Sequence, residues 1–448
     1  MIRQNMAGLQ AEISGLRATR MVGRVISVRG NALRISGLSD LARLGDRIVI
    51  HRRAGGILAG EVIQLEAAAL LVLPDDAPEG VALGDRVILG DRAVISPADS
   101  WLGRIIDPFG EPLDGRPLLR GAGILPLRAD PPPPARRRAM GTRLESGMAA
   151  FNTVLPIVRG QRVGLFAGSG VGKTMLLGHL ARYMQADVVV IALIGERGRE
   201  LRDFVEHVLG PEGMRRAVIV AATSDRSPLI RRRCAWAAMA VAEFFRDQGR
   251  QVLFLADSIT RLAEAHREVA TAAGEMPVLR GFPASTSHLI MSLCERAGPG
   301  EDETGDITAL FTVLVAGSDM DEPIADILRG VLDGHVVLDR QIAERGRYPA
   351  IDLLRSVSRS LPRAASDEEN TLIARARGLL GSYARSETMI KAGLYAEGSD
   401  PELDQAMRIW PELDGFLAEK EAVSAKNSFS RLSVILRRAG ASSGTRAR

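Results

Sequence analysis

Aromatic side chains are scarce, at 4% of residues, and the stretch 21–95 holds no Phe, Tyr or Trp. A platform for single-stranded nucleic acid needs rings on which bases can stack, so this stretch does not read as one. Cysteine is nearly absent: Cys234 and Cys294 are the only two, both in apolar or helical contexts, with no metal-spaced pair. A disulfide scaffold or a zinc module is therefore excluded, and a reduced cytosolic setting fits. Neither sign of charge dominates. With 58 Lys and Arg against 54 Asp and Glu, a net charge of +4 does not argue for a nucleic-acid protein. No apolar run reaches the ~18 residues of a membrane span, and Met1-Ile2-Arg3-Gln4-Asn5 lacks a signal peptide's apolar core. A cytoplasmic, soluble protein is the expectation.

What is present is length and aliphatic content. A chain of 448 residues, 46% hydrophobic, exceeds one ordinary core, so two or three domains are expected. Residues 1–20 place Met6, Leu9, Ile13 and Leu16 at roughly helical spacing, an amphipathic segment or a solvated terminus. Residues 21–95 contain short β-rich runs (22–28, 46–51, 61–73, 85–89) broken by Gly and Asp, the pattern of a small barrel or sandwich. Residues 96–365 form the next unit. Within it, 130–138, an Asp, four prolines, Ala135 and three arginines, is a stiff connector. Beyond the connector, apolar strand-like runs at 163–167, 188–194, 217–221, 252–256, 288–293 and 307–315 alternate with helical stretches. That alternation predicts an α/β fold, a largely parallel sheet covered on both faces. From 366 to 448 helical periodicity takes over, through 374–391 and 403–423, ending in a polar tail expected to be disordered.

The strand-like run from Arg162 leads into Ala167-Gly168-Ser169-Gly170-Val171-Gly172-Lys173-Thr174, and a helical run follows. Glycines let consecutive backbone N–H groups converge on phosphate oxygens, which the N-terminal end of the helix also favours. Lys173 then reaches the β and γ phosphates and the Thr174 hydroxyl ligates Mg²⁺. A chance glycine-rich turn is the competing explanation, and the order of strand, loop and helix counts against it.

Val252–Asp257 is an apolar run ending in an acid. In a parallel sheet this places Asp257 at the C-terminal edge beside the phosphate loop, where it holds Mg²⁺ through water. Many buried strands end in Asp merely as a turn or cap, so the pairing with the loop carries the reading. A second run, 188–194, ends in Gly195-Glu196-Arg197. A carboxylate there can polarise the water that attacks the γ-phosphate, although a surface ion pair gives the same local pattern.

With these motifs in place, the phrases at 103–110 (GRIIDPFG), 167–174, 194–197 (IGER), 257–261 (DSITR) and 348–352 (YPAID) resemble the rotary ATPase superfamily. That superfamily comprises the catalytic subunits of ion pumps and the ATPases that drive type III protein export. The resemblance extends from about 21 to 425. It implies a RecA-like P-loop core with an N-terminal β-barrel and a C-terminal helical domain, and ATP with Mg²⁺ as cofactors. It further implies that Glu196 is the catalytic carboxylate, that Arg197 and Arg261 lie near the γ-phosphate, and that Tyr348 packs on adenine. Arg359, in Ser356-Val357-Ser358-Arg359, resembles the arginine finger that enters a neighbouring subunit's site. Taken alone, Tyr348 would read as a core or turn residue and Arg359 as a surface ion pair.

Because the chain carries both the adenine tyrosine and the finger, the resemblance implies a homohexamer that builds its sites between identical copies. The phrases at 283–285, 319–326, 332–338, 393–395 and 398–401 resemble flagellar and injectisome export ATPases, with the flagellar branch preferred on overall likeness. Asp306 stands where relatives often carry Ser, away from the phosphate loop. The export reading implies ATP hydrolysis coupled to chaperone release and export, with a regulatory or stator-like protein at the N-terminus. It also implies export gate proteins, chaperones and their substrates as partners, and a peripheral position at the inner face of the cytoplasmic membrane. An injectisome ATPase, an ion-pump catalytic subunit and a ring-shaped RNA translocase are the alternatives.

Overall fold

The computed structural model describes residues 19–315, 320–421 and 423–440. The amphipathic segment expected at 1–20 lies almost wholly outside them, as does the tail beyond 440.

Six strands, Val22–Arg29, Ala32–Ser36, Asp46–His51, Ile57–Leu65, Leu70–Pro74 and Arg86–Arg92, close into an antiparallel barrel. The run expected at 61–73 is two strands meeting at a turn, and Ala32–Ser36 is a strand the sequence reading did not contain. In Ala32–Ser36 and Asp46–His51 buried and part-exposed residues alternate, as they do when one face lines a core. Val25, Leu33, Ile35, Ile48, Ile50, Leu70, Val72 and Val87 fill the interior without any ring.

The core sheet runs in the order Ile351–Ser358, Gly334–Leu338, Arg162–Ala167, Ile307–Leu314, Val252–Asp257, Val188–Glu196, Ala217–Thr223, Arg104–Ile106. Every neighbouring pair is parallel except the first, where Ile351–Ser358 lies antiparallel on the edge. Successive residues of the central strands point to opposite cores. Leu165, Val189, Ile191 and Leu193 join the side covered by helix Lys173–Tyr183 and the C-terminal helices. Phe166, Val188, Val190 and Ile194 join the side covered by helices Pro228–Asp247, Ile259–Ala272 and Ser285–Arg296. Burial on both faces is why these strands read as continuous apolar runs rather than alternating ones.

The run 288–293, expected as a strand, is part of helix Ser285–Arg296. Its buried residues Leu289, Ile290, Leu293 and Cys294 recur at helical spacing against the core, and a short apolar run cannot distinguish the two states by periodicity. The proline segment is pinned to the core rather than free. Arg137 donates to the Glu295 and Ala297 carbonyls, and Arg138 donates to Asp306 Oδ1 at 2.7 Å. Asp306 also accepts from the Gly300 N–H at 3.0 Å, so the departure noted at this position anchors the connector.

Helices Asp367–Lys391, Pro401–Phe416 and Ala425–Gly440 form the C-terminal bundle. The first starts at a capping box between Ser366 and Glu369, and Glu369 also receives Arg143 of the core at 2.9 Å. Barrel and core are joined by Glu61, which takes Arg232 at 3.3 Å and also Arg233, both from helix Pro228–Asp247.

Candidate active site

Strand Arg162–Ala167 delivers the chain to a loop in which Gly170 and Gly172 take φ of 77° and 86°. These are left-handed values that side-chain-bearing residues rarely adopt. At Gly172 space is a second constraint, since a Cβ there would come within 3.0 Å of the Tyr348 ring. Helix Lys173–Tyr183 begins at once, and its buried Leu176, Leu177 and Leu180 fix it on the sheet. Val171 is buried and anchors the loop, whereas Gly168 is half-buried and Ser169, Gly170 and Thr174 face outward.

Three charged side chains converge at the C-terminal edge of the sheet. The Lys173 ammonium donates to Asp257 Oδ1 and lies 4.0 Å from Glu196 Oε1. Asp257 and Glu196 reach this point because each is the last residue of its strand and the two strands are parallel neighbours, with Leu193 the register partner of Asp257. Asp257 is 4% exposed. Its Oδ1 also accepts from the Thr312 hydroxyl at 2.7 Å, a residue with no exposed surface on the neighbouring strand. The sequence reading missed Thr312; the available signal was a hydroxyl, one of two with Thr308, in the otherwise apolar run Ile307–Leu314.

Burial, aided by the nearby Asp257 charge and opposed by Lys173, pushes the Glu196 carboxyl up to about 7. A carboxylate poised near neutrality suits a general base. Glu200, one helical turn on, adds to the upward push and also pairs with Arg197 at 3.6 Å. Gly195, at φ 70°, makes the turn, and a Cβ there would meet Arg261 Cβ at 3.4 Å. Arg261 sits in the first turn of helix Ile259–Ala272, capped by Ser258, and its guanidinium donates to Glu264 at 3.0 Å. Arg197 and Arg261 thus flank the carboxylate with their guanidinium groups turned to surface acids.

Tyr348 is about half exposed beside the phosphate loop. It lines a cavity of about 430 Å³ with Gly172, Met175, His179, Tyr183 and Lys420. Lys420 comes from the connection between helices Pro401–Phe416 and Ala425–Gly440, held there by a bridge to Met148 and by the Ala149 N–H on the Glu419 carbonyl. The His179 and Tyr183 rings lie 4.6 Å apart on the wall. His179, Tyr183 and Lys420 were not singled out from the sequence, because only the fold brings them beside Tyr348.

Arg359 is elsewhere. It follows the edge strand, whose antiparallel direction carries it to the opposite, N-terminal end of the parallel strands. There it is exposed, and its guanidinium donates to the Arg329 and Leu332 carbonyls at 3.1 Å each. It does not join Lys173, Glu196 and Asp257.

The donor set fits Mg²⁺ nucleotide. Among the described residues no cluster of three or more metal-binding side chains exists, and Mg²⁺ characteristically takes one or two protein groups plus phosphates and water. Thr174 and Asp257 are such a pair.

Residues 147–358 match the nucleotide-binding domain of the ATP synthase alpha/beta family, and residues 365–433 match the T3SS EscN ATPase C-terminal domain. The chain is 44% identical to the flagellum-specific ATP synthase of Caulobacter vibrioides over 96% of its own length and 99% of that protein's. The flagellum-specific ATP synthase of Salmonella typhimurium is 42% identical, with 92% of each chain covered. Among solved structures, the assembled ATPase EscN of the enteropathogenic E. coli type III secretion system superposes with a TM-score of 0.86 at 35% identity. It covers 92% of this chain and 100% of that one. EscN in complex with its central stalk EscO gives 0.83 at 36% identity, with the same coverage.

Proposed function

We propose, from the premise that this chain belongs to the ATP synthase alpha/beta family and within it to the type III export ATPases, that Lys173, Thr174, Glu196 and Asp257 hydrolyse ATP to drive flagellar protein export. The observation that carries the assignment of residues is the meeting of Lys173, Glu196 and Asp257 at one sheet edge, with the Glu196 carboxyl held near neutrality.

The backbone of Gly168–Thr174 and the Lys173 ammonium cradle the β and γ phosphates. The Thr174 hydroxyl and Asp257 would hold Mg²⁺, which would supply neutralisation of the phosphate charge. Thr312 fixes which way the Asp257 carboxylate faces. Glu196 accepts the proton of the attacking water, and Arg197 and Arg261 are the cations close enough to swing toward the γ-phosphate. Tyr348 gives adenine a flat apolar face. Arg359 completes the site of an adjacent copy, because its place at the far end of the sheet keeps it from its own.

A head-to-tail ring of identical subunits follows, six in the family's assembled form. EscO is the central stalk of EscN, and a stalk-like regulatory protein is assigned to this chain in the same way. A regulatory contact at residues 1–20, the membrane export gate, and chaperones with their substrates complete the partner set. The ring then works at the inner face of the cytoplasmic membrane. No described helix is long and apolar enough to cross a membrane.

Lys173→Ala tests the core of the reading. The folded variant is expected to lose ATP hydrolysis and to leave cells unable to export flagellar subunits. Normal phosphate release by a folded Lys173→Ala protein would refute it.

A further inference from the structure

Tyr348 is about half exposed, so packing on the ring itself secures only one side of it. The rest of its placement depends on the turn that carries it, and the preceding residue holds that turn. Arg347 is 9% exposed, and its guanidinium folds forward along the chain. Nη1 donates to the Pro349 carbonyl at 3.2 Å and Nη2 to the Ile351 carbonyl at 2.7 Å. The Ala350 carbonyl between them accepts from the Asp339 N–H at 2.8 Å. The carbonyls of Pro349, Ala350 and Ile351 are thus all engaged, two of them by one side chain.

The same guanidinium pairs through Nε with Asp414 Oδ1 at 3.0 Å. Asp414 lies in the last turn of helix Pro401–Phe416, which is itself fixed by buried Leu413 and Phe416. One turn earlier, Trp410 stacks on Tyr383 of helix Asp367–Lys391 with ring centroids 4.6 Å apart. Beside the ion pair opens a cavity of about 680 Å³, lined by Arg347, Ile351, Tyr383, Trp410 and Asp414. Apolar packing therefore does not fill the joint between turn and helix, and the guanidinium spans it.

We propose that Arg347 is a positioning residue that sets the Tyr348 ring for the base, braced by Asp414 of the helical domain, a role that rests on the proposed contact between Tyr348 and adenine. Arg347 does not line the cavity at the phosphate loop, so it acts through Tyr348. Arginine suits the task because one rigid plane serves two carbonyls and a carboxylate at once. Lysine keeps the charge beside Asp414 but loses the fork. Arg347→Lys therefore loosens the turn without leaving the mostly buried carboxylate unpaired, as Arg347→Ala would.

The test is calorimetric titration of ATP and of tripolyphosphate, each with Mg²⁺, into the full chain carrying Glu196→Gln, in which turnover is slow. Arg347→Lys should weaken ATP about three- to tenfold and tripolyphosphate less than about twofold. Asp414→Asn, which keeps an oxygen acceptor but drops the charge, should move ATP the same way by a smaller factor. Added to a Tyr348→Ala protein, Arg347→Lys should cost less than about a further twofold, because the ring it positions is gone. Thermal melting checks that each variant is folded. Equal weakening of both ligands by Arg347→Lys, no change in either, or an undiminished further loss on top of Tyr348→Ala would overturn the positioning role while leaving the Tyr348 contact standing. ATP binding unchanged by Asp414→Asn would overturn the brace. ATP binding unchanged by Tyr348→Ala would overturn the contact with adenine, and the role of Arg347 with it.

Discussion

The two ends of the central sheet differ in how their charges are arranged. At the C-terminal end, Lys173, Glu196 and Asp257 are substantially buried, close together, and neutralise one another in part. At the N-terminal end, Arg359 is exposed and rests on two backbone carbonyls, which offer partial charges but no counter-ion. Carbonyl contacts of this kind are individually modest and can be exchanged for an anion at little cost. On the proposed function, one end holds most of the catalytic group, and Arg359 at the other is a cation for a neighbouring copy's phosphate. On that reading a complete site needs both ends, which identical subunits would supply by packing head to tail.

The largest effect should come from breaking the C-terminal end. Glu196→Gln keeps the shape but removes the base, so it should bind ATP normally and hydrolyse it about a hundred- to ten-thousandfold more slowly, measured in single turnovers. In the parent protein, kcat/KM should rise with pH through about 7, where the free Glu196 loses its proton. The same carboxyl is a stability cost in the free chain. Because its folded value lies above the unfolded one, stability falls as pH rises from about 4.5 to about 7, and Glu196→Gln should melt higher than the parent at pH 8 but not at pH 4.

Arg359→Ala probes the other end and should lower hydrolysis by as much as about a thousandfold with ATP affinity preserved. Mixing it with Lys173→Ala protein sharpens the contrast. Interfaces that join a sound phosphate loop from one variant to a sound Arg359 from the other should regain activity. No rescue in rings that native mass spectrometry shows to be mixed would place Arg359 in a purely structural role.

Smaller effects are expected where side chains touch the site from one side only. Tyr348→Ala should weaken ATP by about 1 to 2 kcal/mol while leaving tripolyphosphate binding unchanged. Thr312→Val should cost about 1 kcal/mol in the preference for Mg²⁺-ADP over ADP alone, and Thr312→Ser should restore it. If Thr312→Val changes both affinities equally, its hydroxyl does not orient Asp257.

The legible parts of this molecule were those in which fold and chemistry share one short segment. The phosphate loop carries its own turn-forming glycines, and Asp257 and Glu196 declare themselves by ending apolar runs. The barrel was legible from short β-rich runs broken by regular Gly and Asp turn signals, and the connector from its prolines. Gly334–Leu338 and Ile351–Ser358 escaped because the first is short and the second is an edge strand whose exposed residues break the apolar run. Helix Ser285–Arg296 was misread because Leu289, Ile290, Met291 and Leu293 make a nearly continuous apolar run in sequence, although Met291 is exposed. Thr312 and Lys420 were hidden for a different reason: each matters only through a neighbour distant in sequence, 55 residues away for Thr312 and Asp257.

The edge strand Ile351–Ser358 has Tyr348 just before it and Arg359 just after it. Eight extended residues span about 26 Å and resist stretching, so on the proposed function this strand is a strut between a tip that packs on the base and a tip that meets a neighbour's phosphate. On that reading a movement that adenine imposes on the first tip would be felt at the second. In a closed ring such struts would lie end to end around the circumference, each linking one nucleotide to the next, so that the loading of one pocket sets the tension in its neighbour.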